Sequence, residues 1–109
     1  MNITTEEQGG VSIIKLAGDL AGDSTFAQKA GELLASADHK VVIDLSDVGM
    51  VTSAGLGDLV RITAQSNSQG GSLILANPAP FVAGVLETTK LNKFFDVRAS
   101  LDEAIRALQ

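Results

Sequence analysis

The chain has 109 residues, a composition typical of globular proteins, a formal net charge of −5, one histidine and no cysteine. This length suits one compact domain over residues 1–109, and the residue counts exclude a disulfide scaffold, a thiol nucleophile, and Cys-ligated or multi-histidine metal sites. Nucleic acids and anionic membranes attract clustered Lys and Arg, so the acidic balance argues against both as main partners. No apolar run approaches the ~20 residues of a membrane span, and the first residues do not resemble a signal peptide, so we expect a cytoplasmic protein without membrane insertion.

The N-terminal third predicts two strands and a helix. Residues 11–17 form an apolar run typical of a strand, and the preceding turn predicts residues 3–7 as its hairpin partner. Residues 18–22 are then expected to form a loop. Asp23 or Ser24 can cap the first helix by accepting a hydrogen bond from a backbone N–H group. Five apolar residues follow on one helical face: Phe26, Ala30, Leu33, Leu34 and Ala37.

The middle of the chain predicts a strand–helix–strand unit. Residues 41–45 are almost all apolar and β-branched, which is typical of a central parallel strand covered on both faces. Residues 46–51 are expected to form a loop, and a second helix is expected from about Ala54 to just before Gly70. Its apolar face consists of Leu56, Leu59, Val60 and Thr63. Residues 72–76 predict another buried strand.

The C-terminal third predicts two further helices with a short strand between them. Asn77 and Pro78 are suited to the cap and first turn of a third helix, and residues 94–97 to a short edge strand or an extended segment. Ser100 and Glu103 have the spacing of a capping box before the last helix. The predicted fold is therefore α/β with the order β-β-α-β-α-β-α-β-α. The apolar stripes of these two helices are Val82, Val85, Leu86 and Thr89, and then Leu101, Ala104, Ile105 and Leu108.

Thr52 and Ser53 stand where a buried strand gives way to a helix, and side chains at such places often carry function in α/β sheets. Either residue can be a plain helix cap. Alternatively, Ser53 can be a phosphorylation site, because the positive end of a helix tolerates a phosphate. A phosphate would add about −1.5 to −2 charges and three acceptor oxygens to the surface.

Enzyme motifs are missing around Ser53, so we expect no enzyme. The residue two places before the serine is Val51, whereas a nucleophile elbow needs glycine there. No catalytic pair with His39 can be assigned, and no phosphate-binding P-loop or dinucleotide fingerprint occurs. Neighbouring carboxylates such as Asp44 and Asp47 are more typical of loop caps than of an acid–base pair.

Residues 42–48 leading into residues 53–57 resemble the STAS family, the sulphate-transporter and anti-sigma-factor-antagonist domain. The resemblance covers nearly the whole chain, with further matches at residues 18–20, 77–78 and 91–95. It implies a mixed four- to five-stranded sheet packed against about four helices. It also implies a bacterial protein that regulates transcription by binding an anti-sigma factor.

The resemblance implies a phosphorylation switch as well. In anti-sigma factor antagonists of this family, the partner is an anti-sigma factor and serine kinase of the GHKL type, and a PPM-type serine phosphatase reverses the modification. Ser53 is the matching serine, with Thr52 as the rival acceptor. At Thr52 and Ala21 the sequence differs from many phosphorylated members, which have Asp there. The implied partner-binding residues are Asp19, Asp23, Thr52, Ser53, Gly55, Leu56 and Gly57.

Two other hypotheses remain at this point. The chain can be a STAS subunit that is not phosphorylated and that assembles into a larger complex, for example beside a transporter. A small hydrolase that uses Ser53 is the third, and the missing motifs argue against it. Phosphorylation by a cognate kinase separates the first two hypotheses, and the sequence leaves the oligomeric state open.

Overall fold

The structure is a computed structural model that describes residues 2–22, 24–35 and 40–109, without the side chain of Ser24. These residues form five strands and four α-helices in the predicted order, so the α/β prediction is confirmed. A short 3-10 turn, Leu91–Lys93, precedes the last strand. The strands are β1 Asn2–Gln8, β2 Val11–Leu20, β3 Lys40–Val51, β4 Ser72–Ala76 and β5 Asp96–Arg98; the helices are α1 Ser24–Leu34, α2 Ser53–Ser68, α3 Pro80–Thr88 and α4 Leu101–Leu108.

The strands form one sheet in the order β1-β2-β3-β4-β5. β1 is antiparallel to β2, and every later pair is parallel. The predicted hairpin is confirmed: its two turn residues, Gly9 and Gly10, have φ values of 60° and 81°. A two-residue turn with positive φ at both positions matches the twist of the flanking strands, and glycine adopts it without a Cβ penalty.

Apolar clusters lie on both faces of the sheet, as predicted for a central strand at residues 41–45. Val41, Ile43 and Leu45 face a core shared with α1, α2 and α3. Val42 faces the other side and packs with Ile74 against α4. Burial on both faces explains why the central strands are nearly continuous apolar runs. The buried face of α1 also agrees with its predicted stripe at Phe26, Ala30 and Leu34, whereas Ala37 and the candidate cap Asp23 lie outside the described residues.

The two predicted loops at residues 18–22 and 46–51 are largely strand instead. β2 continues to Leu20 and β3 to Val51, and the two extensions pair in parallel with register shifts. Because the bulges rotate the chain, β3 buries Leu45, Val48 and Val51 at a spacing of three instead of two. Both segments contain Gly and Asp, which are common in loops, but in the structure they pair with each other as parallel strands.

The start of α3 also differs from the prediction. The helix begins at Pro80 with Ala79 at the cap position, two residues after the predicted start. Asn77 adopts a left-handed conformation with φ of 48°, and its N–H donates to the Arg98 carbonyl at 2.9 Å. This bond ties the chain to β5 before the helix begins, so the proline in the first turn is Pro80.

Candidate functional site

The candidate site is the N-terminus of α2, which the predicted motif around Ser53 singles out. Thr52 is the cap residue: its backbone is extended, and its Oγ1 accepts a hydrogen bond from the Gly55 N–H at 3.2 Å. Its carbonyl accepts the Leu56 N–H at 2.8 Å. Ser53 is therefore not the cap. It is the first residue of the helix, and its side chain is exposed.

Gly55 allows this helix end to lie directly on the end of β2. The Thr52 N–H donates to the Leu20 carbonyl at 2.9 Å. A Cβ on Gly55 would overlap that same carbonyl oxygen, so glycine is required for the close approach. Gly22, with φ of 91°, would place a Cβ only 2.8 Å from the Cβ of Ala54. The end of β2 and the chain after it thus hold the first turn of α2 in place.

The ends of β2 and β3 lie side by side at the same edge of the sheet. Asp19 pairs in register with Met50, and Leu20 with Val51. Asp19 is exposed, and Met50 is 42% exposed. Asp23, the other predicted acidic residue of this surface, lies outside the described residues. The structure therefore brings Asp19 and Met50 to the edge from which α2 starts.

The outer face of α2 is mostly uncharged. Ser53, Gly57 and Arg61 are spaced by four residues and lie on one side of the helix. Leu56 and Val60 beside them are half-buried and pack against the core. Gly57 has open space where a side chain would stand. This surface combines an exposed hydroxyl, a glycine that has no side chain, and aliphatic side chains. Such a surface is suited to packing against a second protein.

The same helix carries an ion pair that the sequence patterns did not predict. Asp58 is only 3% exposed, and its Oδ1 accepts a hydrogen bond from Nη2 of Arg61, whose side chain is 73% exposed. The other carboxylate oxygen, Oδ2, has no hydrogen-bond partner among the described residues. The available signal was Asp58 itself, a charged residue between the helical positions Gly55 and Ile62, both of which are buried.

The described residues do not assemble a metal centre, because no group of three or more His, Asp or Glu side chains lies together among them. Ser53 is exposed at a helix start, and the single histidine, His39, lies outside the described residues. The exposed Ser53 side chain lies at the positive end of α2.

Comparison with known proteins identifies the family. The STAS domain family matches residues 2–104, so the chain belongs to the STAS family. A Thermotoga neapolitana protein named as a candidate anti-sigma factor antagonist is 32% identical over 78 residues, which cover 72% of this chain and 69% of that protein.

Solved structures agree with this assignment. The crystal structure of an anti-sigma factor antagonist from Mycobacterium paratuberculosis is similar with a TM-score of 0.87, at 26% identity over 98% of this chain and 92% of that one. The Bacillus cell fate determinant SpoIIAA in its phosphorylated form has the same fold, with a TM-score of 0.75 at 19% identity over 99% of this chain and 100% of that one. No helix in the described part of this chain is long and apolar enough to cross a membrane.

Proposed function

We propose that this chain is an anti-sigma factor antagonist that binds its partner through the start of α2 and is switched off by phosphorylation of Ser53. The observation that carries the proposal is the exposed Ser53 hydroxyl, which lies next to the uncharged residues Leu56 and Gly57. The anti-sigma factor antagonists among its relatives support the same role. Bound to the anti-sigma factor, the chain frees the sigma factor and so regulates transcription.

The geometry favours Ser53 over Thr52 as the phosphate acceptor. The Thr52 hydroxyl is half-buried and already accepts the Gly55 N–H, so modification there would disturb the cap. The Ser53 hydroxyl is exposed, and the N–H groups of the first helical turn have no carbonyl partners within the helix. Those groups and the helix dipole stabilise a nearby anion, so the free protein accommodates a phosphate on Ser53.

The same phosphate opposes binding. It adds about −1.5 to −2 charges to a surface that a partner has to cover. Burying such a charge without a cation opposite it costs several kcal/mol, and each ~1.4 kcal/mol is a tenfold loss of affinity. The unphosphorylated chain is thus the binding form, and the phosphorylated chain is the released form.

The enzymes proposed for the switch are those that the resemblance to anti-sigma factor antagonists implies. We assign the phosphorylation to a GHKL-type kinase that is itself the anti-sigma factor, and the reversal to a PPM-type serine phosphatase. Because such a kinase uses ATP, the cycle belongs in the cytoplasm. Asp19, Gly55, Leu56 and Gly57 complete the proposed partner surface, with Asp23 as a further member outside the described residues.

A second candidate function is a STAS subunit that is never phosphorylated. The specific observation in its favour is that Thr52 and Ala21 occupy positions where many phosphorylated members have Asp. In this structure Thr52 serves as the helix cap, a role that does not depend on any phosphate.

The deciding experiment is phosphorylation by the cognate kinase with ATP, followed by mapping with mass spectrometry. We expect the phosphate on Ser53, no modification of Ser53→Ala, and continued modification of Thr52→Ala, which removes the rival hydroxyl. Ser53→Ala should bind the anti-sigma factor constitutively, and Ser53→Asp should bind it poorly. Phosphate on Thr52 alone, or on neither residue with an active kinase, would overturn the switch and favour the unmodified subunit.

A further inference from the structure

The charged residues of α2 are Asp58 and Arg61, and they are paired with each other. The pairing is asymmetric, because the carboxylate is buried at 3% exposure and the guanidinium is mostly in solvent at 73%. The burial leaves Asp58 Oδ2 without a partner among the described residues. Arg61 is thus the group that compensates this buried charge there.

Stability alone does not account for this arrangement. A buried carboxylate is costly to desolvate, and an exposed arginine repays little of that cost because water screens the interaction. An apolar side chain at position 58 would join the neighbouring core residues Leu59 and Ile62 without any such cost. The pair is therefore better explained by a function of the exposed Arg61 guanidinium at the protein surface.

The effect of the pair on Arg61 is to restrict its orientation. A free arginine samples many rotamers, and ordering it on binding costs conformational entropy. Here Nη2 of Arg61 donates a hydrogen bond to Oδ1 of Asp58. The other N–H groups of the planar guanidinium can donate to a second acceptor. A carboxylate is an acceptor that matches this fork in two parallel hydrogen bonds.

Arg61 also lies on the surface that the proposed partner covers. It is two steps of four residues from Ser53 along one face of α2, with the open position of Gly57 between them. The phosphate of a modified Ser53 would start about 12 Å away along the helix axis, so an internal pair with Arg61 is unfavourable. The acceptor is therefore expected on another molecule.

We propose that Arg61, oriented by Asp58, binds a carboxylate on the anti-sigma factor and sets the register of that partner on α2. This inference rests on the proposed function and adds to it the chemistry of one contact. The local charge of α2 supports an acidic contact point, because the exposed Arg61 guanidinium is the positive group on a helix face that is otherwise uncharged. Asp58 is a positioning residue, because it acts through Arg61.

The test measures affinity and association rate for the anti-sigma factor with Arg61→Glu and its matched control Arg61→Lys. Arg61→Glu should lose tenfold or more in affinity at low salt, with a slower association. Arg61→Lys keeps the charge without the fork and should lose less. A partner variant in which the facing carboxylate is changed to Arg should restore binding to Arg61→Glu. Circular dichroism checks that each variant is folded.

A double-mutant cycle separates positioning from a merely structural role of Asp58. Asp58→Asn should weaken binding in the parent and have little further effect in Arg61→Gln. An equal loss in both backgrounds would overturn the positioning role. Unchanged affinity of Arg61→Glu, with Ser53→Asp still abolishing binding, would overturn the Arg61 contact and leave the proposed function standing. Absence of binding by the unmodified parent chain would overturn the proposed function itself, and the Arg61 contact with it.

Discussion

Gly55 and Gly57 lie two residues apart in α2 and have opposite structural roles. Gly55 lies on the Leu20 carbonyl, where any Cβ would overlap the backbone of β2. Gly57 faces open space. The first glycine is therefore required by packing inside the molecule. The second has no internal constraint, and its flat surface is available to a partner.

We expect Gly55→Ala to lower the free energy of unfolding by about 1–3 kcal/mol, because the new methyl group forces α2 away from β2. Gly57→Ala is the matched control and should raise it by about 0.5–1 kcal/mol, since alanine favours the helix and meets no neighbour. Urea denaturation of both variants measures the difference. Equal effects of the two changes would contradict the close approach at Gly55.

Thr52 and Ser53 are also adjacent residues with different roles. We expect Thr52→Ala to cost about 0.5–2 kcal/mol of stability, because the Gly55 N–H loses its acceptor. Thr52→Ser retains the hydroxyl and should stay close to the parent chain. Ser53→Ala removes an exposed hydroxyl and should change stability by less than about 0.5 kcal/mol. Thermal melts of the three variants test this order, and a larger loss in Ser53→Ala than in Thr52→Ala would reverse the cap assignment.

At the scale of elements, β3 connects the core to the candidate site. Its first half is buried on both faces, with Val42 facing α4 and Ile43 facing the layer of α1, α2 and α3. Its second half extends beyond β4, whose pairing with β3 ends at Asp44 and Ala76. This extension carries Met50 and leads the chain to the start of α2.

Truncation of this strand should be costly on either face. We expect Val42→Ala and Ile43→Ala each to lower the free energy of unfolding by about 1–4 kcal/mol through lost burial and a residual cavity. Total stability is typically ~5–15 kcal/mol, so either change is a large fraction of it. Denaturation curves provide the measurement, with Glu7→Ala on the exposed strand β1 as a control that should stay near the parent. Melting curves that match the parent for both core variants would show that the strand is not central.

At the scale of the whole molecule, parallel strands place the start of α2 at the same edge of the sheet as the end of β2. A partner that covers Ser53 therefore also meets Gly57 and the neighbouring strand ends. A bulky residue at position 57 should block that contact without entering the core, since the position opens to solvent.

We expect Gly57→Trp to weaken binding to the anti-sigma factor by tenfold or more while the circular dichroism spectrum stays folded. Gly57→Ala serves as the control for loss of glycine alone and should retain most of the affinity. Isothermal titration calorimetry with the purified partner gives both values. An unchanged affinity for Gly57→Trp would place the interface elsewhere on the molecule.

Local patterns in the sequence were enough to predict the elements and their order. The apolar run at residues 41–45, the hairpin turn at Gly9 and Gly10, and the cap at Ser100 each depend on neighbouring residues alone. The Ser100 Oγ accepts the Glu103 N–H at 3.1 Å, as the capping-box spacing predicts. The motif at residues 53–57 likewise located the candidate site through its resemblance to a family.

The tertiary structure decided what depends on residues distant in the chain. Strand pairing extended β2 and β3 through segments whose Gly, Asp and Ser residues favour loops, because each strand supplies the other's backbone hydrogen bonds. The contact with Leu20 decided that Gly55 has to be glycine, and burial within the fold made Asp58 dependent on Arg61. Sequence spacing encodes which face of an element a residue occupies, whereas the atoms opposite that face come from other parts of the chain and exist only once it has folded.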